Sequence, residues 1–439
     1  MGDRERQQLR LIETELERRR AAAADAWELV DEVVLVGAGE PIAVPGRGDI
    51  TYPFRSHSEY FYLTDLNRPG GVLAFDPGEG WIHFRSPVTD EERLWTGAEE
   101  TNEDQPTVAE LEPWIAARRG RSTAVLGCPP HGVSSEPGLS ESLRLELSRI
   151  RRRKDAVELE RMRVAAEATR VAFAAIEHHL DPGVSEFEVR VDLEAAALRA
   201  GADAMAYDTI VASGPNSAVL HSAPTDRRLV AGDLVLIDAG GESRGYASDV
   251  TRTYAVGGRF TAETRDIYAL VQEAQRAALA LCEPGVEWRD VHLAAALKIA
   301  GGLRDLGFLR GDPESLVESG ASQLFFPHGV GHLVGLGVRD APDPLPERKQ
   351  LAPPFPNLRI DLPLEPRMVV TVEPGVYFIP ALLNDPERRR IHRDEVGWDR
   401  VDQMLGVGGV RIEDNALITA TGHESLTGEI PQAAPSPAN

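Results

Sequence analysis

Asp233-Leu234-Val235-Leu236-Ile237-Asp238-Ala239-Gly240-Gly241 is the stretch on which the fold turns. Its apolar run ends in a carboxylate and then in glycine, as a buried strand stopping at an acid would. A second strand-like run, Val250-Thr251-Arg252-Thr253-Tyr254, opens directly after another acid, Asp249. The segment between them, Ala239 to Tyr246, is long enough for a bent hairpin connection that brings the Asp238 and Asp249 carboxylates to one point. A lone acid at a strand end is usually a turn cap or a solvated group, so this pair gains meaning only from what surrounds it.

Upstream, amphipathic stretches at about 155–180 and 185–200 read as helices, parted by the breaker Asp181-Pro182-Gly183. Downstream, helical spacing recurs at about 262–282 and 287–306. A glycine-rich segment from His328, a Pro-rich loop over 341–357 and two last strands near 368–373 and 410–418 follow. Acid-bearing strand sets around Asp238 and Glu373 hint at an internal duplication, too faint in sequence to establish a repeat. Toward the N-terminus, helical spacing from Asp3 to Trp27 leads into a strand at 33–36, with further β-like runs at 60–63, 71–75 and 81–84. The basic run at 149–154, Arg-Ile-Arg-Arg-Arg-Lys, reads as a solvated helix start. It divides an N-terminal α/β domain, 1–148, from a C-terminal domain, 149–430, and 431–439 reads as a disordered tail.

The chain has 439 residues, with 47 Lys+Arg against 70 Asp+Glu and a formal net charge of −23. That excess opposes binding to nucleic acid. Hydrophobic residues at 42% and charged residues at 27% fit a globular core rather than a disordered chain. The two cysteines, Cys128 and Cys282, support neither a disulfide framework nor a thiolate metal site, which fits a reducing cytoplasm. The first twenty residues lack the apolar core of a signal peptide, and no apolar run approaches the roughly 18 residues that cross a bilayer, so no membrane association is expected.

Two more acids stand in apolar, strand-like contexts: Glu373 in Thr371-Val372-Glu373-Pro374-Gly375 and Glu413 in Arg411-Ile412-Glu413-Asp414. Burying a carboxylate without a partner costs several kcal/mol. Arg411, two residues before Glu413 on the same strand face, is the partner the sequence offers, but one arginine cannot neutralise Asp238, Asp249, Glu373 and Glu413 together. Two divalent cations can. His328-Gly329-Val330-Gly331-His332 adds imidazole; its glycines oppose a helix and suit an irregular segment where backbone crowds a site, pointing to His332 as a fifth ligand. Carboxylates with one imidazole suit Mn²⁺ or Co²⁺, with Zn²⁺ a further option. His221 follows a turn of small residues, Ala212-Ser213-Gly214-Pro215-Asn216, that leaves room for a substrate.

These five motifs, in this order, resemble the proline-specific pita-bread metallopeptidases, prolidase and aminopeptidase P, over about 150–425. The segment from Tyr52-Pro53-Phe54-Arg55 to Tyr62-Leu63-Thr64 is similar to their N-terminal domain. The resemblance implies an α/β (α+β) fold, a duplicated pita-bread catalytic domain preceded by a smaller creatinase-like α/β domain. It implies Asp238 on one metal, Asp249 and Glu413 bridging both, and His332 with Glu373 on the other. A metal-bridging hydroxide would attack the carbonyl before proline. Glu373 would shuttle the proton, His221 and His328 would steady substrate and oxyanion, and Tyr207 and Arg411 would orient ligands from behind. A homodimer is the corresponding expectation.

Three positions depart from the pattern: Val338-Arg339-Asp340 where the family has Val-His-Asp, Leu220-His221-Ser222 for Leu-His-Tyr, and Pro366-Arg367-Met368 for Pro-Gly-Met. Arg339 would then meet a substrate carboxylate. Asn357-Leu358-Arg359 and the long connection from Phe378 to Gly409 are similar to prolidases, where such an arginine fixes the carboxylate of a dipeptide. On that basis the expected activity is Xaa-Pro dipeptidase, with aminopeptidase P acting on Xaa-Pro peptides as the alternative. A metal-free binding module and a metal-free amidinohydrolase are the remaining readings; neither needs all five ligands.

Overall fold

The computed structural model describes residues 3–99, 104–128, 130, 132–341, 348 and 357–433. The chain divides into two compact units, Met1–Arg151 and Arg152–Asn439. Most of the Pro-rich loop and the tail beyond 433 lie outside the described residues.

In the first unit, strands Val33–Gly37 and Val72–Asp76 are buried at every position, and the sheet runs Gly80–Phe84, Val72–Asp76, Val33–Gly37, Thr123–Gly127 across its width. Only the last pair is parallel. Such strands read as continuous apolar runs because both faces are covered. Trp27, at the end of helix Asp3–Trp27, stacks obliquely on Trp81 at 5.5 Å and gives its indole N–H to the Leu143 carbonyl at 3.0 Å.

Tyr60-Phe61-Tyr62-Leu63, expected as a strand, lies instead in the helix Ser58–Thr64. Its aromatic composition favours β-structure, but the His57 side chain accepts the Glu59 amide at the helix start and six of its seven residues are buried. The basic run also differs from expectation. It closes helix Pro137–Arg152 rather than opening one, Arg151 and Arg152 are buried, and Lys154, wholly buried, donates to Asp340 at 2.5 Å.

The second unit presents one element order twice. Helices Ala156–Ile176 and Glu186–Arg199 precede the sheet formed by Val250–Ala255, Leu234–Ala239 and Ile210–Ser213. Helices Ala262–Leu279 and Trp288–Asp305 precede the sheet of Val369–Val372, Asp414–Ile418 and His423–Ser425. Each half packs its own apolar core, one built on Phe173, Leu193, Val211 and Ile237, the other on Trp288, Ile299, Phe325 and Val372.

The halves are stitched along Val250–Ala255. The Thr253 hydroxyl donates to the Arg411 carbonyl at 2.9 Å, and the Glu413 amide donates to the Thr251 carbonyl at 3.1 Å. Arg252, fully buried, donates to Asp414 at 2.8 Å and to the Glu413 carbonyl at 2.6 Å. A buried cation can be held only by such complete pairing.

Glu373 and Glu413 do not lie inside continuous strands. Val369–Val372 pairs with Asp414–Ile418, then the ladder stops, and pairing resumes between Gly375–Tyr377 and Gly409–Arg411. Glu373-Pro374 therefore faces Ile412-Glu413 across a break. Proline cannot donate to a ladder, and the freed bend turns both acids out of the sheet.

Candidate active site

Asp238 and Asp249 come together because Val250–Ala255 folds back on Leu234–Ala239, setting Thr251 opposite Asp238 and leaving Asp249 just before its strand. A Cβ on Gly240 would collide with the Ser248 carbonyl, so this hairpin closes only with glycine there. Gly331 answers the same demand in the histidine segment, where a Cβ would run into the Thr371 carbonyl. That segment is neither helix nor strand, as its glycines led one to expect, and the His332 amide is held by the Thr371 hydroxyl at 3.0 Å.

Asp249, His332 and Glu413, all buried, bring one ligand atom each within 4.8 Å of one another. His332 Nε2 lies 3.4 Å from Asp249 and 3.8 Å from Glu373. Asp238 opens into the same pocket, about 860 Å³ in volume, together with Tyr207, His221, His328, Arg339, Arg359 and Arg411. The Tyr207 hydroxyl donates to Asp238 Oδ1 at 2.7 Å and Arg411 Nη2 to its Oδ2 at 2.5 Å. Glu413 accepts instead from the Thr251 hydroxyl at 2.6 Å. Arg411, expected beside Glu413, thus reaches across to Asp238.

The charge of this cluster is not balanced by the protein. Burial, then the neighbouring carboxylates Asp249, Glu373 and Asp238, push Glu413 well above the usual carboxylate range. Burial raises Asp238 against the opposing pull of Arg411, and it lifts Glu373 to about 7 against His332 and Arg411. For His332, burial alone would favour the neutral ring, but the Asp249 hydrogen bond and the charges of Asp249 and Glu373 turn the net shift upward. Burial, with Asp238 and Asp249 beside it, keeps the Tyr207 phenol protonated.

The histidines divide. His328 places Nδ1 at 2.8 Å from the Gly329 carbonyl and Nε2 at 2.9 Å from the Tyr377 hydroxyl. A carbonyl only accepts, so the proton is on Nδ1 and Nε2 takes the Tyr377 proton. Arg411 Nη1 donates to that same hydroxyl at 3.0 Å, and burial with the Arg411 charge drives His328 down to about 3. His221 stands at the pocket with its residue surface exposed and no hydrogen bond to a described residue; partial desolvation of its ring by the pocket wall and then the Arg339 and Arg411 charges lower its pKa.

Of the four arginines lining the pocket, Arg190 is paired to Glu194 at 3.2 Å and Arg411 to Asp238, whereas Arg339 and Arg359 are exposed and pair with no described residue. Three contributors went unseen in the sequence: Tyr377, which links Arg411 to His328; Thr251; and Asn415, whose side chain exchanges hydrogen bonds with the Asp249 backbone at 3.0 and 2.7 Å. The alternation of Thr251 and Thr253 on a strand face beside Asp249 was the available signal.

A hydrolytic centre of hard ligands in this fold defines a metallopeptidase. The chain belongs to metallopeptidase family M24, which it matches over 160–420, and it matches the aminopeptidase P N-terminal domain over 16–112. A probable Xaa-Pro aminopeptidase, pepP, of Aspergillus fumigatus is 34% identical over 406 residues, covering 85% of each chain. Among solved structures, proline aminopeptidase P II from Yersinia pestis superimposes with a TM-score of 0.79 at 29% identity, covering 95% of this chain and 97% of the other. Zn-substituted aminopeptidase P of Escherichia coli with product gives 0.78 at 28%, covering 95% and 96%. The fold is accordingly the pita-bread domain with an aminopeptidase P N-terminal domain. Among the described residues no helix is long and apolar enough to cross a membrane.

Proposed function

We propose that the protein is an Xaa-Pro aminopeptidase, releasing the first residue of peptides with proline second. The observation that carries this is the convergence of Asp249, His332 and Glu413 on one point, beside Asp238 and Glu373, in a pocket with room for a short peptide. The N-terminal domain match and the names of the relatives support the aminopeptidase over the dipeptidase, reversing the order drawn from the 378–409 connection. That connection folds into short helices Pro380–Leu383, Pro386–Ile391 and Trp398–Asp402.

The donor set fits divalent ions: four acids and an imidazole are drawn together, their charge exceeds what Arg411 offsets, and none is a thiolate. Asp238, Asp249, His332, Glu373 and Glu413 would hold two ions, for which Mn²⁺ suits the ligands best. Bound there, such ions supply Lewis acidity and lower the pKa of water.

The chain's own groups do the rest. Tyr207 and Arg411 fix both oxygens of Asp238, so its carboxylate cannot rotate. Glu373, in the pocket beside the other acids, takes a proton from the attacking water and returns it to the leaving proline nitrogen. His221 steadies the substrate carbonyl as negative charge develops on oxygen. His328, whose Nε2 already accepts from Tyr377, lines the wall without an N–H to offer on that side. The unpaired Arg339 and Arg359 meet a carboxylate of the substrate.

Those two arginines also favour a second reading, cleavage of Xaa-Pro dipeptides, whose carboxylate would reach them. Incubating Mn²⁺-loaded protein with Ala-Pro-Ala and with Ala-Pro, beside an Asp249→Ala control, separates the two. The expected result is tripeptide cleavage that the control lacks. Cleavage of Ala-Pro alone would assign the dipeptidase, and no metal-dependent cleavage of either would refute both.

A further inference from the structure

The segment carrying His221 is gripped on both sides by one carboxylate that the chemistry above leaves unused. Glu186, the first residue of helix Glu186–Arg199, is fully buried. Its Oε1 accepts from the Ser213 amide at 2.7 Å, the Ser213 hydroxyl at 2.8 Å and the Asn216 amide side chain at 3.0 Å. Its Oε2 accepts from the Thr225 hydroxyl at 2.6 Å and the Thr225 amide at 3.1 Å. Asn216 reaches Oε2 as well, at 3.2 Å, so the one carboxylate holds the chain both before His221, at Ser213 and Asn216, and after it, at Thr225.

The helix does not need this acid for its own start. Its capping box is formed by Ser185 and Glu188, which exchange hydrogen bonds without Glu186. Among the described residues no cation neutralises Glu186 directly; each donor to its carboxylate is neutral and comes from 213–225. The same segment is tied to the strand bearing Arg411, since the Ser217 hydroxyl donates to Gly214 at 2.7 Å and accepts the Gly409 amide at 2.9 Å. A buried carboxylate accepting this many bonds is a fixed post, and a neutral amide in its place must turn its own donor toward donors.

We infer that Glu186 is a positioning residue: by fixing both ends of 213–225 it sets His221 at the pocket. The inference rests on the reading of His221 as a substrate-contacting group of a Xaa-Pro peptidase. It requires Glu186 to act through His221 and not merely through stability, and that requirement is testable.

Glu186→Gln and Thr225→Val are each made in the wild-type and in the His221→Ala background, and the Mn²⁺-loaded proteins are assayed on Ala-Pro-Ala. Glu186→Gln is expected to lower kcat/KM roughly tenfold to a hundredfold in the wild-type background, as displacement of a reacting group does. Bound Mn²⁺ per chain stays the same, and in the His221→Ala background the same substitution changes kcat/KM by less than about twofold. Thr225→Val, which keeps the carboxylate and loses one donor, follows the same pattern with a smaller loss. Hydrogen exchange of the metal-free proteins is expected to quicken over 214–225 in both variants. An equal loss with and without His221, or unchanged exchange over 214–225, overturns the inference. If the parent protein fails to cut Ala-Pro-Ala, the functional reading falls, while the exchange result still decides whether Glu186 holds the segment.

Discussion

Two clusters of buried charge, one in each unit, are built on opposite terms. In the first unit Asp76, with its side chain 5% exposed, is met by Arg118 at 2.6 Å and Arg121 at 2.8 Å, so the buried anion is fully countered by the chain itself, while the exposed Glu79 and Asp31 meet the same arginines at the rim. In the second, Asp238, Asp249, Glu373 and Glu413 share a pocket in which, among the described residues, Arg411 on Asp238 is their one bonded arginine and His332 beside Asp249 the one imidazole, so the acids outnumber the basic groups that meet them. Where a chain supplies its own counter-charge, the cluster is a clamp; where it does not, the cluster is a socket for something cationic. The contrast holds even within the second unit, because Arg252 and Asp414, one residue from Glu413, form a closed pair.

The largest effect expected from this contrast is on the socket. Glu413→Gln keeps an acceptor for Thr251 but removes a ligand charge, and should lower kcat/KM on Ala-Pro-Ala by roughly three orders of magnitude. Its effect on stability should change sign with metal. In chelator, relief of carboxylate repulsion raises the melting temperature by a few degrees; with Mn²⁺ the variant melts below wild type. A variant that melts lower in both conditions would mean that the acids are stabilising by themselves.

Next comes the closed pair. Arg252→Met leaves Asp414 buried without its cation and should cost about 3–5 kcal/mol in denaturant unfolding, with or without metal. Asp76→Asn in the first unit should cost about 1.5–3 kcal/mol, again independent of metal.

The Asp76 clamp also predicts a pH dependence. Hydrogen bonds from Arg121 and Arg118 hold its carboxyl well below the usual range, against the opposing effect of burial. A carboxyl whose folded pKa is depressed stabilises fully above its unfolded value, about 3.9, and loses that contribution as the pH falls below it. Acid unfolding followed by Trp27 and Trp81 fluorescence should therefore steepen below about pH 4 in wild type and less so in Asp76→Asn. The smallest effect is at the rim, where Arg339→Gln should raise KM for Ala-Pro-Ala about threefold relative to its C-terminal amide, as an exposed pair allows.

Much of the socket was legible because the proposed ligands sit at punctuation marks: Asp238 before Gly240, His332 after Gly331, Glu373 before Pro374. These residues announce where backbone leaves regular structure, and the structure brings Asp249, His332 and Glu413 to one point there. What escaped depends on distant partners. Lys154 reads as one more solvated cation until Asp340 is found beside it, and Glu186 reads as a helix-start acid until Ser213, Asn216 and Thr225 converge on it. Tyr60-Phe61-Tyr62-Leu63 has strand composition, and only the His57 cap and the surrounding core make it helical. The order of dipeptidase over aminopeptidase rested on the 378–409 connection and on Asn357-Leu358-Arg359, and an exposed arginine meets the carboxylate of a dipeptide or of a longer peptide alike.

The interrupted ladder at Glu373-Pro374 and Ile412-Glu413 has an evolutionary consequence. Because Glu373 lies in the gap between two strand pairs, a single codon change there would remove the proposed proton shuttle while leaving the hydrogen bonds of both flanking pairs in place. Such a change would cost the proposed chemistry and spare the scaffold. A chain carrying it would be expected to fold as this one does, without the proposed activity.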